Sequence, residues 1–150
     1  MTIQEDIHKN AVDHGWWETP RPIGELVALV HSEVSEALEG FRNRDMENVV
    51  EELADVKIRL HDFAQGLHEG QVDLNPKGAT FPDQLAELHT TISQIHCCAH
   101  DRDAVRLGIY LALVAVDKIA KSNNLDVDEA MIRKHEINKA RAYRHGGKVC

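Results

Sequence analysis

Between Ile23 and Leu67 the apolar residues return every three or four positions, and the pattern breaks only at "RNRD", residues 42–45. Ile23, Leu26, Val27, Val30, Val34, Ala37, Leu38 and Phe41 form one stripe; Val49, Leu53, Val56, Leu60, Phe63 and Leu67 form the next. A repeat near 3.6 residues is a helix signal, because a half-buried strand alternates every two. So short a break brings two helices back antiparallel, with Asp45 as the N-cap of the second. The spacing predicts helices over 22–42 and 46–68, with Pro22 in the first turn of the former.

The rest of the chain extends the helical pattern. Residues 3–14 read as an amphipathic helix stopped at Gly15, and "WWETPRP" follows as a turn. After the loop "EGQVDLNPKGATFPD", helices are expected over 83–100, 103–122 and 127–143, the last capped by Asp126 or Asp128. A polar tail, "RHGGKVC", closes the sequence, and no strand is expected. Aromatics are only 5% of the chain, and 9 Gly and 4 Pro are few for a sandwich or barrel. The expected fold is all-α, one domain over 1–150, built as a bundle of five to six helices.

Sliding the chain by 58 residues lays Asp45 on Asp103 and one stripe on the other: Val27 on Leu85, Val34 on Ile92, Leu53 on Leu111 and Val56 on Val114. The helical hairpin is therefore expected to occur twice, the second copy degenerate, although any two amphipathic hairpins align to some degree. Glu33, Glu36, Glu52 and Asp55 fall on Thr91, Gln94, Tyr110 and Leu113, so only the first copy carries acids.

Net charge is −8, which disfavours nucleic acid and anionic membranes as partners. The longest apolar run, "LGIYLALVAV", is about half of the ~20 residues a membrane span requires. The first residues do not read as a secretory signal, and three cysteines in this arrangement suggest no disulfide framework. The expected compartment is the cytoplasm.

The acids of the first hairpin have matched positions. Glu33 and Glu36 lie three and six residues after Val30; Glu52 and Asp55 lie three and six after Val49. At ~100° per residue each pair falls ~60° and ~120° from its stripe, on the same rotational side. The two-fold relation of antiparallel neighbours keeps such pairs on one side of the hairpin. Both pairs are centred about ten residues from the turn, ~15 Å at ~1.5 Å per residue. Four carboxylates in one patch repel each other, and a hard divalent cation relieves that repulsion. Acids three apart also occur on plainly solvated helix flanks, the role assigned here to Glu39, Glu47 and Glu51. With no histidine in the set, Mg²⁺ is favoured over Zn²⁺, with Mn²⁺ as a substitute.

A second charge feature lies near the C-terminal end. Arg133, Lys134, Lys139, Arg141, Arg144 and Lys148 are interrupted by one acid, Glu136. Lys134, Asn138 and Arg141 step by four and three onto one helical face, and "HGGK" then leaves the helix. Such a face suits polyphosphate; favourable pairing with a helix C-terminus accounts for it equally well.

"LVHSEVSEALEGFR", "EELADVKIRLHD" and "KHEINKARAYRHGGK", in that order and preceded by "WWETPRP", resemble the MazG-like all-α nucleoside triphosphate pyrophosphohydrolases, relatives of the dimeric dUTPases. The resemblance implies Mg²⁺-dependent hydrolysis of a nucleoside or deoxynucleoside triphosphate to the monophosphate and pyrophosphate. It implies Glu33, Glu36, Glu52 and Asp55 as metal ligands, and Glu36, then Glu33, as the base for the attacking water. Lys134, Asn138, Arg141 and Lys148 would meet phosphates. Trp16 or Trp17 would stack on the base, and Arg21 would lie near the nucleotide. The hairpin at 83–122 departs from the short members; as in the dimeric dUTPases, it would stand in for a partner subunit. That makes a homodimer the expected assembly, with a tetramer the larger alternative. The competing expectation is a non-catalytic helical binding or scaffold protein with a structural cation. "HCCAH" (96–100) reads as packing or surface residues, since adjacent cysteines point ~100° apart on a helix; His31, next to the acids, reads equally as a residue supporting them or as a surface histidine.

Overall fold

Four of the helices described below begin where a side chain accepts a free first-turn N–H group. The computed structural model describes residues 2–75, 80–141 and 148–149. Among the described residues there are six helices: α1 (Ile3–Asp13), α2 (Ile23–Arg42), α3 (Met46–His68), α4 (Phe81–Cys97), α5 (Arg102–Ser122) and α6 (Val127–Lys139). The protein is all-helical apart from two two-residue strands.

A reciprocal capping box starts α1: the Glu5 backbone N–H donates to the Thr2 hydroxyl, and the Thr2 N–H donates to the Glu5 carboxylate. That backbone bond holds the Glu5 carboxyl below the usual carboxylate range. The helix ends in a Schellman turn, with Gly15 at φ +82 and the Trp16 N–H donating to the Ala11 carbonyl at 3.1 Å. Asp45, Asp101 and Asp126 accept the first free N–H groups of α3, α5 and α6. Pro22 sits one residue outside α2, in extended conformation, and not in its first turn.

The chain forms two units, Met1–Ala86 and Glu87–Cys150. In the first, α3 packs against both α1 and α2. The unexpected strands, β1 (Arg21–Pro22) and β2 (Val72–Asp73), pair in parallel, Arg21 with Val72 and Pro22 with Asp73. This pairing ties the turn before α2 to the loop after α3. Two residues carry no period, so only the three-dimensional proximity of those segments could create it.

Among the described residues, Trp17, Leu26, Ala37 and Ala86 are the buried hydrophobic side chains. Trp17 is 7% exposed, and its ring lies so close to Gly66 that a Cβ there would sit 2.3 Å from a ring carbon. Its indole N–H donates to Asp62 Oδ1 at 2.9 Å, and His8 Nδ1 donates to the same oxygen at 2.6 Å. The other ring nitrogen of His8 lies 3.1 Å from the Gln71 side-chain oxygen. A buried polar knot thus joins α1, the tryptophan turn and the end of α3.

In the second unit, α4 and α5 approach closely where Gly108 faces Ile95: a Cβ on Gly108 would be 2.9 Å from the Ile95 side chain. No residue of α5 or α6 is buried. The expected 83–100 helix lies at Phe81–Cys97, and the expected 127–143 helix ends at Lys139. Arg141 therefore follows α6, so it does not share a helical face with Lys134 and Asn138. Arg144 and the glycines of "HGGK" lie outside the described residues. Among the described residues, no helix is long and apolar enough to cross a membrane.

Candidate functional site

The α2–α3 turn sets up the acidic side of the hairpin. Asp45 Oδ1 accepts the Asn48 backbone N–H at 3.0 Å, fixing the first turn of α3. The Asn48 side-chain amide then donates to Glu52 Oε1 at 2.8 Å, one helical turn further on. That bond orients Glu52 toward α2.

Three carboxylates gather there. Oxygens of Glu33, Glu36 and Glu52 lie within 4.8 Å of one another. Glu33 is only 6% exposed; Glu52 is half-buried and Glu36 exposed. The donor set is all oxygen, and one member is removed from water, so the residues fit a hard divalent cation with room left for water or phosphate. Asp55 is exposed and outside the three. Glu39, set aside as solvated, pairs with Arg42 at 2.6 Å.

The partner of Glu33 is a basic residue of α3. Arg59 Nε donates to Glu33 Oε1 at 2.5 Å. Arg59 lies seven residues after Glu52, within ~20° of it around the helix. A basic residue one heptad beyond an acid on a shared face is the signal that could have found it. No reading of one helix alone reveals that it crosses to α2.

Arg59 also lines a cavity of about 790 Å³, with Trp16, Arg21, Leu29, Ile58 and Asp62 on its walls beside residues of α1. The two tryptophans divide at this cavity. Trp17 is buried in the polar knot, whereas Trp16 is 65% exposed and faces the open space. Arg21 lies behind them, its guanidinium 5.9 Å from the Trp16 ring centre and 5.2 Å from that of Trp17. Both Nε and Nη2 of Arg21 donate to Glu25, which holds the side chain in place. Of the two tryptophans proposed for a nucleotide base, Trp16 is the accessible one. The volume is within the range of small-molecule sites.

In the second unit, Lys134, Asn138 and Arg141 are exposed, and Lys148 is half-buried. Nearby cations pair locally, Lys139 with Glu136 at 2.6 Å and Arg133 with Glu129 at 3.6 Å. Among the described residues, no metal-competent cluster forms around His96, Cys97, Cys98 and His100. Comparisons with protein-family models, with curated proteins and with solved structures return no match to this chain.

Proposed function

We propose that the protein hydrolyses a nucleoside or deoxynucleoside triphosphate to the monophosphate and pyrophosphate, with Mg²⁺ held by the acids of the α2–α3 hairpin. The observation that carries this reading is the convergence of Glu33, Glu36 and Glu52, one of them buried, within 4.8 Å. Burying a carboxylate beside two others is costly unless positive charge is supplied. The nearby cavity with Trp16 and Arg21 offers room for a nucleoside. The MazG-like resemblance of the three motifs points to the same chemistry.

A bound Mg²⁺ would neutralise phosphate oxygens and acidify a water. Among the protein groups, Glu52 is held by Asn48 and Glu33 is buried, so both are suited to fixed positions. Glu36 is exposed and is the acid best placed to take a proton from the attacking water. Asp55 is the fourth acid of the motif, and its metal role rests on the resemblance. The stacking surface for the base is Trp16. The phosphate roles of Lys134, Asn138, Arg141 and Lys148 rest on the resemblance. We place the protein in the cytoplasm as a homodimer; exposed Val34, Leu38 and Phe41 on α2 supply apolar surface for a second copy.

One observation favours a non-catalytic helical binding protein instead: Glu33 already has a counter-charge in Arg59. A panel of nucleoside triphosphates and deoxynucleoside triphosphates with Mg²⁺, assayed for pyrophosphate, separates the two. The enzyme reading expects pyrophosphate from at least one substrate, and a Glu36→Gln variant that folds but turns over at least about 100-fold more slowly. Inorganic phosphate as the product would reject the cleavage site. A full rate in Glu36→Gln would remove that residue from the mechanism.

A further inference from the structure

The Arg59–Glu33 bond crosses from α3 to α2 and ends on the most buried acid of the cluster. The Arg59 side chain is 40% exposed, and that of Glu33 is 8% exposed. Only Nε of Arg59 is engaged; among the described residues, its two terminal nitrogens have no protein partner, and the residue lines the open cavity. The guanidinium thus has one edge on the acid cluster and the rest in the cavity. Formally, Glu33, Glu36 and Glu52 carry three negative charges, and Arg59 cancels one of them.

We infer that Arg59 is an internal stand-in for the divalent cation. It occupies Glu33 when no cation is bound, and it gives up that carboxylate when one binds. The inference rests on the cation site proposed above. A guanidinium and a divalent cation directed at the same carboxylate repel each other, and the doubly charged ion gains more from a three-acid cluster. Arg59 can leave because its far edge already faces open space. Once released, its planar donors turn toward the cavity beside Trp16 and Arg21, where a phosphate would be gripped by a fork of N–H groups. Arg59 is on this account a positioning residue that couples cation binding to the anion-binding side of the site.

This exchange has a signature that a purely structural arginine lacks: removing Arg59 has opposite effects on stability and on cation affinity. Without its donor, the buried Glu33 is left unpaired and the chelated protein is less stable. The same change restores the third negative charge and strengthens cation binding. The probe is Mn²⁺, titrated calorimetrically into chelator-treated wild-type protein and the Arg59→Gln variant. Thermal melts are run in parallel in chelator and in saturating Mg²⁺. The expected result is a dissociation constant lower by about tenfold or more in Arg59→Gln. Its melting temperature should be lower than wild type in chelator, with the gap narrowing in Mg²⁺.

A second measurement needs no variant to fold. The Arg59 side-chain Nε–H signal in ¹⁵N-labelled wild-type protein should exchange with solvent about tenfold faster once Mg²⁺ saturates the site, because its acceptor has been taken. If wild-type protein binds Mn²⁺ but Arg59→Gln binds it no more tightly, or if the Nε–H signal is unmoved by Mg²⁺, the exchange is wrong and the cation site stands. If wild-type protein binds no Mn²⁺, both the exchange and the cation reading are overturned.

Discussion

The α2–α3 and α4–α5 hairpins are built to one plan and end with different surfaces. α2 begins at Ile23 and α4 at Phe81, the 58-residue step that also superposes their apolar stripes. Each hairpin has a short turn, an aspartate cap on its second helix and a helical glycine at a close contact. Where the first has Glu33, Glu36 and Glu52 converging, the second has Thr91, Gln94 and an exposed Tyr110. Helical periodicity is thus enough to make the hairpin. Whether its flank gathers carboxylates or carries uncharged side chains depends on three or four residues that helix formation does not require.

The largest expected difference between the hairpins is in cation response. At a free concentration one hundred times its dissociation constant, a bound ion stabilises the native state by about 2.7 kcal/mol. Mg²⁺ should therefore raise the wild-type melting temperature, and the double change Glu33→Gln with Glu36→Gln should abolish the rise. The matching double change Thr91→Ala with Gln94→Ala should leave it intact. A loss of the response in the second variant would mean that the hairpins are not distinct in this respect.

The next difference concerns packing. Gly66 on α3 faces the rigid Trp17 ring, so Gly66→Ala forces the buried indole to move and should cost about 1–3 kcal/mol in chemical denaturation. Gly108 on α5 faces Ile95 Cγ1, the one atom that an added Cβ would approach within 3 Å, against three ring carbons at Gly66. There the strain is offset by roughly 1 kcal/mol of helix propensity gained by alanine, so Gly108→Ala should be close to neutral. Equal costs would show that the two close contacts are alike.

The smallest difference is in the turns. Arg44 has φ +62, a left-handed conformation that disfavours any side chain with a Cβ, and no residue of the Cys98–Asp101 turn has a positive φ. Arg44→Gly should stabilise by a few tenths to about 1 kcal/mol, the strain relief being partly offset by the entropy of glycine. His100→Gly should give no gain. Denaturation midpoints of the two variants, compared with wild type, measure both.

Much of this could be read from the chain before its structure. Helices α2, α3 and α5, the caps at Asp45 and Asp126 and the stop at Gly15 are local: each depends on residues within about one turn. Three of the four acids expected in one patch, Glu33, Glu36 and Glu52, do gather, because the two-fold relation of a hairpin brings matched sequence offsets together; Asp55 lies outside the three. Arg59 was not legible, because its side chain acts across to another helix. The division of Trp16 from Trp17 also depends on the far segments that supply Gly66, Asp62 and His8. The β1–β2 pair follows from where the end of α3 returns the chain. The end of α6 was misplaced because "NKARAYRH" contains no proline or glycine before Gly146 to stop a helix.

The most direct test of the account is pyrophosphate release by the wild-type protein from a panel of nucleoside triphosphates and deoxynucleoside triphosphates in Mg²⁺, with and without excess chelator. The account predicts pyrophosphate and nucleoside monophosphate in equal amounts from at least one substrate, with the rate lost in chelator. No turnover of any substrate, together with a melting temperature indifferent to Mg²⁺, would contradict it.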